Sequence, residues 1–296
     1  MNPVIRFATL LMCFAAAPAL AQEDKYINAN GVKIRYIEAG KGAAIVLLHG
    51  GTSNLESWTS RGVVDNLAKD FRVIAFDARG HGKSDSPRDP AAYGRQQALD
   101  VVRILDALKI ERAHIIGFSL GSSTVAQLLT LHPERFLTGV QVAGAGRTPE
   151  EANDPRIETE AAEIARDCIS RSRVMRQAPA GMKPTEEDIQ QRVVACRADK
   201  TFDPLAVAAS LRGYKDQAVT AEQMAAVKVP TMGIVGTLDH TLKAMQALKA
   251  IRPGMKLVLL EGVSHTGKTG IQGDPRLVSE IRVFIAEQPR AATPAY

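Results

Sequence analysis

The pentapeptide Gly117-Phe118-Ser119-Leu120-Gly121 constrains this chain more than any other stretch. The apolar pair Ile115-Ile116 leads into it and helix-forming residues from Leu120 to Leu131 follow, which predicts strand, sharp turn and helix with a serine at the apex. A serine hydroxyl is a useful nucleophile only if its oxygen stands clear of the sheet and a base can reach it. The turn that achieves this is crowded, so positions 117 and 121 must be nearly free of side chain. The helix after Ser119 also aims backbone N–H groups at any oxyanion formed there. A glycine-rich turn with no chemistry satisfies the same pattern, so the rest of the chain has to decide.

The pattern on either side is alternation. Lys25 to Gly40 reads as two antiparallel strands around Asn30-Gly31. Continuous apolar runs at 43–48 and 71–76 suit strands buried on both faces, and a helix from about Ala91 to Leu108 follows. Beyond the helix at 120–131 come a strand at 139–143, then, from Thr231, a strand to Val235, a helix 242–250, a strand 256–260 and a last helix 275–286. Between them, residues 147–228 carry no convincing strand. Charged residues there interleave with alanine and leucine at helical spacing, and Thr185-Glu186-Glu187-Asp188 after Pro184 resembles a helix start. Alternating strands and helices interrupted by a helical segment predict a mostly parallel sheet, formed by 22–146 and 229–296, carrying a lid formed by 147–228.

Residues 1–21 stand apart. Arg6, an apolar run from Phe7 to Ala17 and Ala19-Leu20-Ala21 form the pattern of an export signal, so a periplasmic or secreted protein is expected. Cys13 follows Met12 where a lipoprotein site wants a small residue. No later run reaches the roughly 20 apolar residues of a membrane span. The 37 Lys and Arg are mixed with 32 Asp and Glu rather than blocked, so nothing argues for a nucleic-acid partner and none is expected. Past the leader two cysteines remain, Cys168 and Cys196, both in the lid segment. An oxidising destination and an even count predict that they bond to each other.

A serine nucleophile needs a base, and the base needs a carboxylate to hold its tautomer. Asp239 follows the strand at 231–235, and His265 follows the strand at 256–260. Both therefore fall on loops at the carboxyl edge of a parallel sheet, where open α/β sheets keep their sites. Helix capping by Asp239 and a solvated loop for His265 are the plain alternatives, and their joint placement after a G-x-S-x-G favours the trio. His240 abuts Asp239 and lines the site at most. His49, His81, His114 and His132 read as structural. No Cys/His cluster has metal-ligand spacing, so no metal or organic cofactor is expected.

With Leu48-His49-Gly50-Gly51, Asp77-Ala78-Arg79-Gly80-His81-Gly82-Lys83-Ser84, His132-Pro133-Glu134-Arg135-Phe136 and Gly236-Thr237-Leu238-Asp239 beside these residues, nearly all the chain past the leader resembles the α/β-hydrolase family. It looks like the small capped esterase, lactonase and peroxidase-like members. The resemblance implies an eight-stranded, mostly parallel sheet with helices on both faces and a helical cap. It also implies an oxyanion hole from the backbone N–H groups of Gly51 and Leu120. The expected substrate is a small carboxylic ester or lactone, with peroxidase-like or carbon–carbon cleavage as alternatives on the same triad. Serine at 119 departs from the aspartate-nucleophile dehalogenases and epoxide hydrolases of that fold.

Three further features compete for attention. Gly262-Val263-Ser264-His265-Thr266-Gly267-Lys268-Thr269 formally matches a phosphate-binding loop, a distant nucleotide-binding alternative with too few residues after it for the rest of such a domain. Trp58 and Phe118 lie close in sequence to the hole and the nucleophile, as candidate substrate walls or as core. The run Arg166 to Arg176 is basic: a solvated helix face, or in the sharper view an anion-binding rim.

Overall fold

The computed structural model describes residues 23–178, 181 and 183–288; the expected export signal at 1–21 lies outside them. The strands are β1 (Lys25–Ala29), β2 (Val32–Ala39), β3 (Ala44–Leu48), β4 (Arg72–Phe76), β5 (Ala113–Phe118), β6 (Phe136–Val142), β7 (Thr231–Gly236) and β8 (Lys256–Leu260). They form one eight-stranded sheet in the order β1-β2-β4-β3-β5-β6-β7-β8. β1 and β2 pair antiparallel, as does β2 with β4, and every other pairing is parallel.

Period-2 alternation explains why the central runs are apolar throughout. Along β3, Val46 and Leu48 enter one buried cluster while Ile45 and Leu47 enter another on the opposite face. β4 and β5 divide the same way: Ile74, Phe76 and Ile115 on the first face, Val73, Ala75 and Ile116 on the second. Each such side chain contributes about 1.5–3 kcal/mol by leaving water, so a slip of one residue would exchange the two faces at large cost.

Helices cover both faces. α1 (Glu56–Thr59) and α2 (Val63–Leu67) were not apparent from sequence, being only a turn or so long. α3 (Arg95–Ala107) and α4 (Leu120–Leu131) lie on the first face. α3 begins later than expected because Pro90–Ala92 forms a separate 3₁₀ turn and Gly94 turns the chain at φ +60. β6 begins earlier than expected, at Phe136.

Between β6 and β7 the described residues form helices and loops but no strand: α5 (Pro149–Ala152), α6 (Arg156–Asp167), α7 (Arg171–Gln177), α8 (Glu186–Ala198), α9 (Pro204–Arg212), a 3₁₀ turn at Gly213–Gln217 and α10 (Ala221–Ala226). The chain ends with α11 (Leu242–Ile251) and α12 (Pro275–Ala286). Among the described residues no helix is long and apolar enough to cross a membrane. Cys168 and Cys196 are joined, with their Cα atoms 6.1 Å apart, and the bond links the end of α6 to α8.

Candidate active site

Ser119 sits between β5 and α4 with φ 53 and ψ −109, a backbone position costly for any residue with a side chain. The neighbouring glycines make it possible. A Cβ on Gly117 would lie 2.2 Å from the Gly121 carbonyl oxygen, and one on Gly121 would lie 2.4 Å from that of Leu48. Strand, elbow and helix are thus pressed together at separations that only glycine allows. The Ser119 N–H donates to the Val142 carbonyl (2.9 Å), and the Ser122 hydroxyl donates to that of Gly117 (2.6 Å), which fixes the elbow from both sides.

Asp239 and His265 come from the loops after β7 and β8, and these loops are bonded to each other. The Leu238 N–H donates to the Val263 carbonyl (2.9 Å), and the Gly262 N–H to the Thr237 hydroxyl (3.0 Å). His265 Nδ1 lies 2.9 and 3.0 Å from the two Asp239 carboxylate oxygens, and its Nε2 lies 3.0 Å from Ser119 Oγ. Asp239 Oδ1 also accepts from the N–H and hydroxyl of Thr241, both at 2.8 Å. Burial pushes the Asp239 carboxyl up, but the bonds from His265 and Thr241 outweigh it and leave the group below its usual value. A buried, ionised carboxylate that fixes Nδ1–H leaves Nε2 facing the serine as an acceptor.

Gly51 lies beside the first residue of α4: a Cβ placed on it would be 3.7 Å from the Leu120 side chain. As the first helical residue, Leu120 has an N–H with no acceptor inside the helix. His49 holds the preceding loop, with Nδ1 2.7 Å from the Gly50 carbonyl and Nε2 accepting the Ala78 N–H at 3.0 Å. Both contacts require the neutral imidazole, and burial lowers its pKa to about 4. His81 and His114 are likewise lowered to about 4 by burial. The structural role expected of these histidines is thereby explained.

The helical insertion covers the elbow. Leu120 packs with Ala161 and Ile164 of α6, Val207 and Leu211 of α9, and Tyr214. Polar bonds fasten it to the core: the Gln217 side chain donates to that of Gln97 (2.8 Å), and Gln127 donates to the Asp216 carbonyl (2.5 Å).

Other expectations need correction. Trp58 does not form a wall of the site. It is fully buried in the core beneath the second face, because α1 turns it inward. Phe118 stays beside the chemistry, its ring 5.0 Å from that of His265 and pressed on Gly50, but with 4% exposure it supports the imidazole rather than opening onto solvent. Residues 262–269 do not form a phosphate loop. No helix starts at Gly267-Lys268-Thr269; the segment folds back through a bridge between Ser264 and Gly270, so no row of helix N–H groups is presented. The basic run is neither one helix face nor a free rim. α6 ends at Asp167, Arg166 pairs with Asp167 and Arg171 with Glu186, while Arg173 and Arg176 both bind the buried Glu160.

Two residues gain importance. The His240 ring lies tilted against that of His265, centroids 4.4 Å apart, its Nδ1 3.6 Å from Asp239 Oδ1, and burial holds its pKa at about 4. Tyr214, buried in the 3₁₀ turn Gly213–Gln217 that follows α9, brings its hydroxyl to 3.7 Å from the point where a Gly51 Cβ would stand. Adjacency to Asp239 was a signal for His240; no sequence signal marks Tyr214. Asp239, His240 and His265 also place three ligand atoms within 4.8 Å of one another. A cation there would displace the proton shared by Asp239 and His265, so the trio serves a metal or the serine, not both.

Residues 43–267 match the family described as the alpha/beta hydrolase fold. The chain is 36% identical over 132 residues to 2-hydroxymuconate semialdehyde hydrolase of a Pseudomonas species (strain CF600), covering 44% of this chain and 45% of that one. It is 34% identical over 141 residues to 2-hydroxy-6-oxo-6-(2'-aminophenyl)hexa-2,4-dienoic acid hydrolase of Metapseudomonas resinovorans, covering 46% and 47%. These matches span less than half the length of each relative. Among solved structures, the enol-lactonase of Burkholderia xenovorans LB400 superposes with a TM-score of 0.67 at 24% identity, covering 89% of this chain and all of that one, a likeness of fold. The chain belongs to the α/β-hydrolase fold family, and these three relatives are hydrolases.

Proposed function

We propose that the protein is a serine hydrolase that cleaves a small carboxylic ester or lactone in two acyl-transfer steps. One observation carries this: His265 bridges Ser119 Oγ and the Asp239 carboxylate with both ring nitrogens at hydrogen-bond distance. Ser119 Oγ attacks the carbonyl carbon while His265 Nε2 takes its proton. The backbone N–H groups of Gly51 and Leu120 hold the oxyanion. The tetrahedral adduct collapses, and His265 returns the proton to the departing alkoxide, leaving Ser119 acylated. Water then repeats the sequence, with its proton passing to His265 and the acid leaving as Ser119 is restored. Every proton is carried by the triad, so the reading requires no metal or organic cofactor.

A second reading rests on the relatives. A 6-oxo compound of the kind named for the Metapseudomonas enzyme is a ketone, and hydrolysing a ketone breaks a carbon–carbon bond. The same triad and oxyanion donors serve that reaction. Turnover of p-nitrophenyl butyrate against a 2-hydroxy-6-oxohexadienoate separates the two. In either case Ser119→Ala should lose about four orders of magnitude or more, because nucleophile and base act as a unit. A Ser119→Ala protein that still turns over its substrate at near wild-type rate rules out the mechanism.

A further inference from the structure

No step of the proposed hydrolysis uses His240, yet it stands against the two residues that hold the proton. Its Nδ1 lies 3.6 Å from Asp239 Oδ1, and its ring centre lies 4.4 Å from that of His265. Asp239, His240 and His265 each offer a ligand atom, and the three atoms fall within 4.8 Å of one another. Around a tetrahedral zinc, bonds of about 2.0–2.2 Å put neighbouring ligand atoms roughly 3.3–3.6 Å apart. The separations measured from the Asp239 carboxylate, 2.9 Å to His265 Nδ1 and 3.6 Å to His240 Nδ1, lie close to that range. His240 is the most exposed of the three, at 28% of its side chain against 17% for His265 and none for Asp239. It is therefore the ligand placed to meet an ion from solvent and to close the remaining gap.

The surroundings suit a bound ion. A ligating carboxylate is oriented best when it is itself hydrogen-bonded, and Asp239 Oδ1 accepts from the N–H and hydroxyl of Thr241. A ligating imidazole is oriented best when its far nitrogen has a partner, and His265 Nε2 faces Ser119 Oγ at 3.0 Å. Two imidazole nitrogens and one oxygen form a set for zinc or copper, whereas magnesium and calcium take oxygen. The charges of Arg173 and Arg176 reach His240 and oppose a cation, but both guanidiniums are paired with Glu160. Asp239, held below its usual pKa by the bonds from His265 and Thr241, sets a negative charge within the trio itself.

We propose that Asp239, His240 and His265 form a reversible inhibitory site for a divalent cation of the zinc class, which stops the reaction by relocating one proton. In the free triad the His265 proton is on Nδ1, shared with Asp239. An ion that takes the Nδ1 lone pair sends that proton to Nε2, and none leaves the imidazole. Nε2 then donates to Ser119 Oγ instead of accepting from it, so the serine keeps its proton and no attack begins. The ion site stands on the geometry of the trio alone; the inhibition rests on the hydrolase reading.

The test follows hydrolysis of p-nitrophenyl butyrate against zinc chloride in wild type and in His240→Phe, which keeps a ring against His265 and removes one ligand. Each rate is taken relative to that protein's own rate in chelator, with the rate of metal alone subtracted. Zinc should silence the wild type, EDTA should restore it, and magnesium or calcium at the same concentration should leave it unchanged. His240→Phe should need at least about tenfold more zinc for half-inhibition. His240→Asn should shift in the same direction, so that a misfolded phenylalanine variant does not decide the matter. Calorimetric titration of Ser119→Ala with zinc chloride reads the site without turnover, and binding should weaken at least about tenfold when His240→Phe is added. Zinc that leaves the rate unchanged or raises it overturns the inhibition, and equal binding with and without His240 overturns the site; ester hydrolysis stands in both cases. His240-dependent binding in a protein that hydrolyses no ester overturns the hydrolase reading and leaves the ion site.

Discussion

The sheet and the helical insertion are held together by different physics. In the insertion, α5, α7, α8, α9 and α10 each open on a side chain that caps the helix: Thr148, Ser170, Thr185, Asp203 and Thr220. In the sheet domain, α1, α2, α3, α4 and α11 open with no such bond, and α12 is the one that has it, from Asp274. A helix pressed along a sheet is stabilised by the face it buries. A helix with little to bury, such as α7 with no buried residue or α8 with Ile189 alone, depends on its ends, where a cap contributes about 1 kcal/mol. α6, uncapped, and α9, with six buried residues, lean on packing as well. The triad rests on the first kind of structure, and the segment that covers the elbow largely on the second.

The sharpest way to break this comparison is one methyl group in each region. Gly117→Ala sets a Cβ 2.2–2.7 Å from the backbone of Gly121 and Ser122, where no side chain can move aside. It should cost about 4 kcal/mol or more, seen as loss of folded, labelled enzyme when fluorophosphonate is added. Gly181→Ala, between α7 and α8, meets nothing within 4 Å and bears only the strain of φ +78, about 1–2 kcal/mol. Equal losses of Tm in the two variants would erase the distinction.

Acid should separate the regions next. His49, His81 and His114 lie in the sheet domain with pKa values of about 4, below the usual 6.5; residues 147–228 contain no histidine. As pH falls below 6.5 the unfolded chain takes up protons that the folded one refuses, so stability declines from there to about pH 4 and then levels. At pH 5 each of the three costs about 2 kcal/mol. A urea midpoint unchanged between pH 7 and pH 5 would contradict this assignment.

Reduction probes the other side. Opening the Cys168–Cys196 bond frees a loop of 28 residues, worth about 3–4 kcal/mol in the chain-entropy treatment. Hydrogen exchange should quicken across 147–228 while Ser119 continues to react with fluorophosphonate. Loosening of β3 and β5 to the same degree would show that the insertion has no stability of its own.

The same contrast governs what the sequence makes legible. β3 and β7 are visible as apolar runs because both faces of each are buried, whereas β8 is an apolar run at the sheet's edge with Leu259 exposed. α4 and α12 are visible because each follows a sharp local signal, the elbow and the Asp274-Pro275 start. Ser119, Asp239 and His265 could be named because each stands at a strand end, which a one-dimensional pattern can locate. Tyr214 could not, since it reaches Gly51 from the 3₁₀ turn after α9 only through tertiary packing, and no spacing along the chain records that. Trp58 misled for the same reason: seven residues from Gly51 in sequence, it is turned away from it by one short helix. Thr185 was readable because a capping box is a local motif, even where the surrounding tertiary structure is not.

β6 and β7 are parallel neighbours, paired from Gly139 opposite Thr231 to Val142 opposite Ile234. Everything between them leaves the sheet at one edge and returns to the strand next door. Such a segment is a detour in the route of the chain, not a change to it. Its length, helix count and surface can be rewritten through descent or by grafting without reordering a single strand, and Asp239 and His265 keep their posts because they lie beyond the point of return.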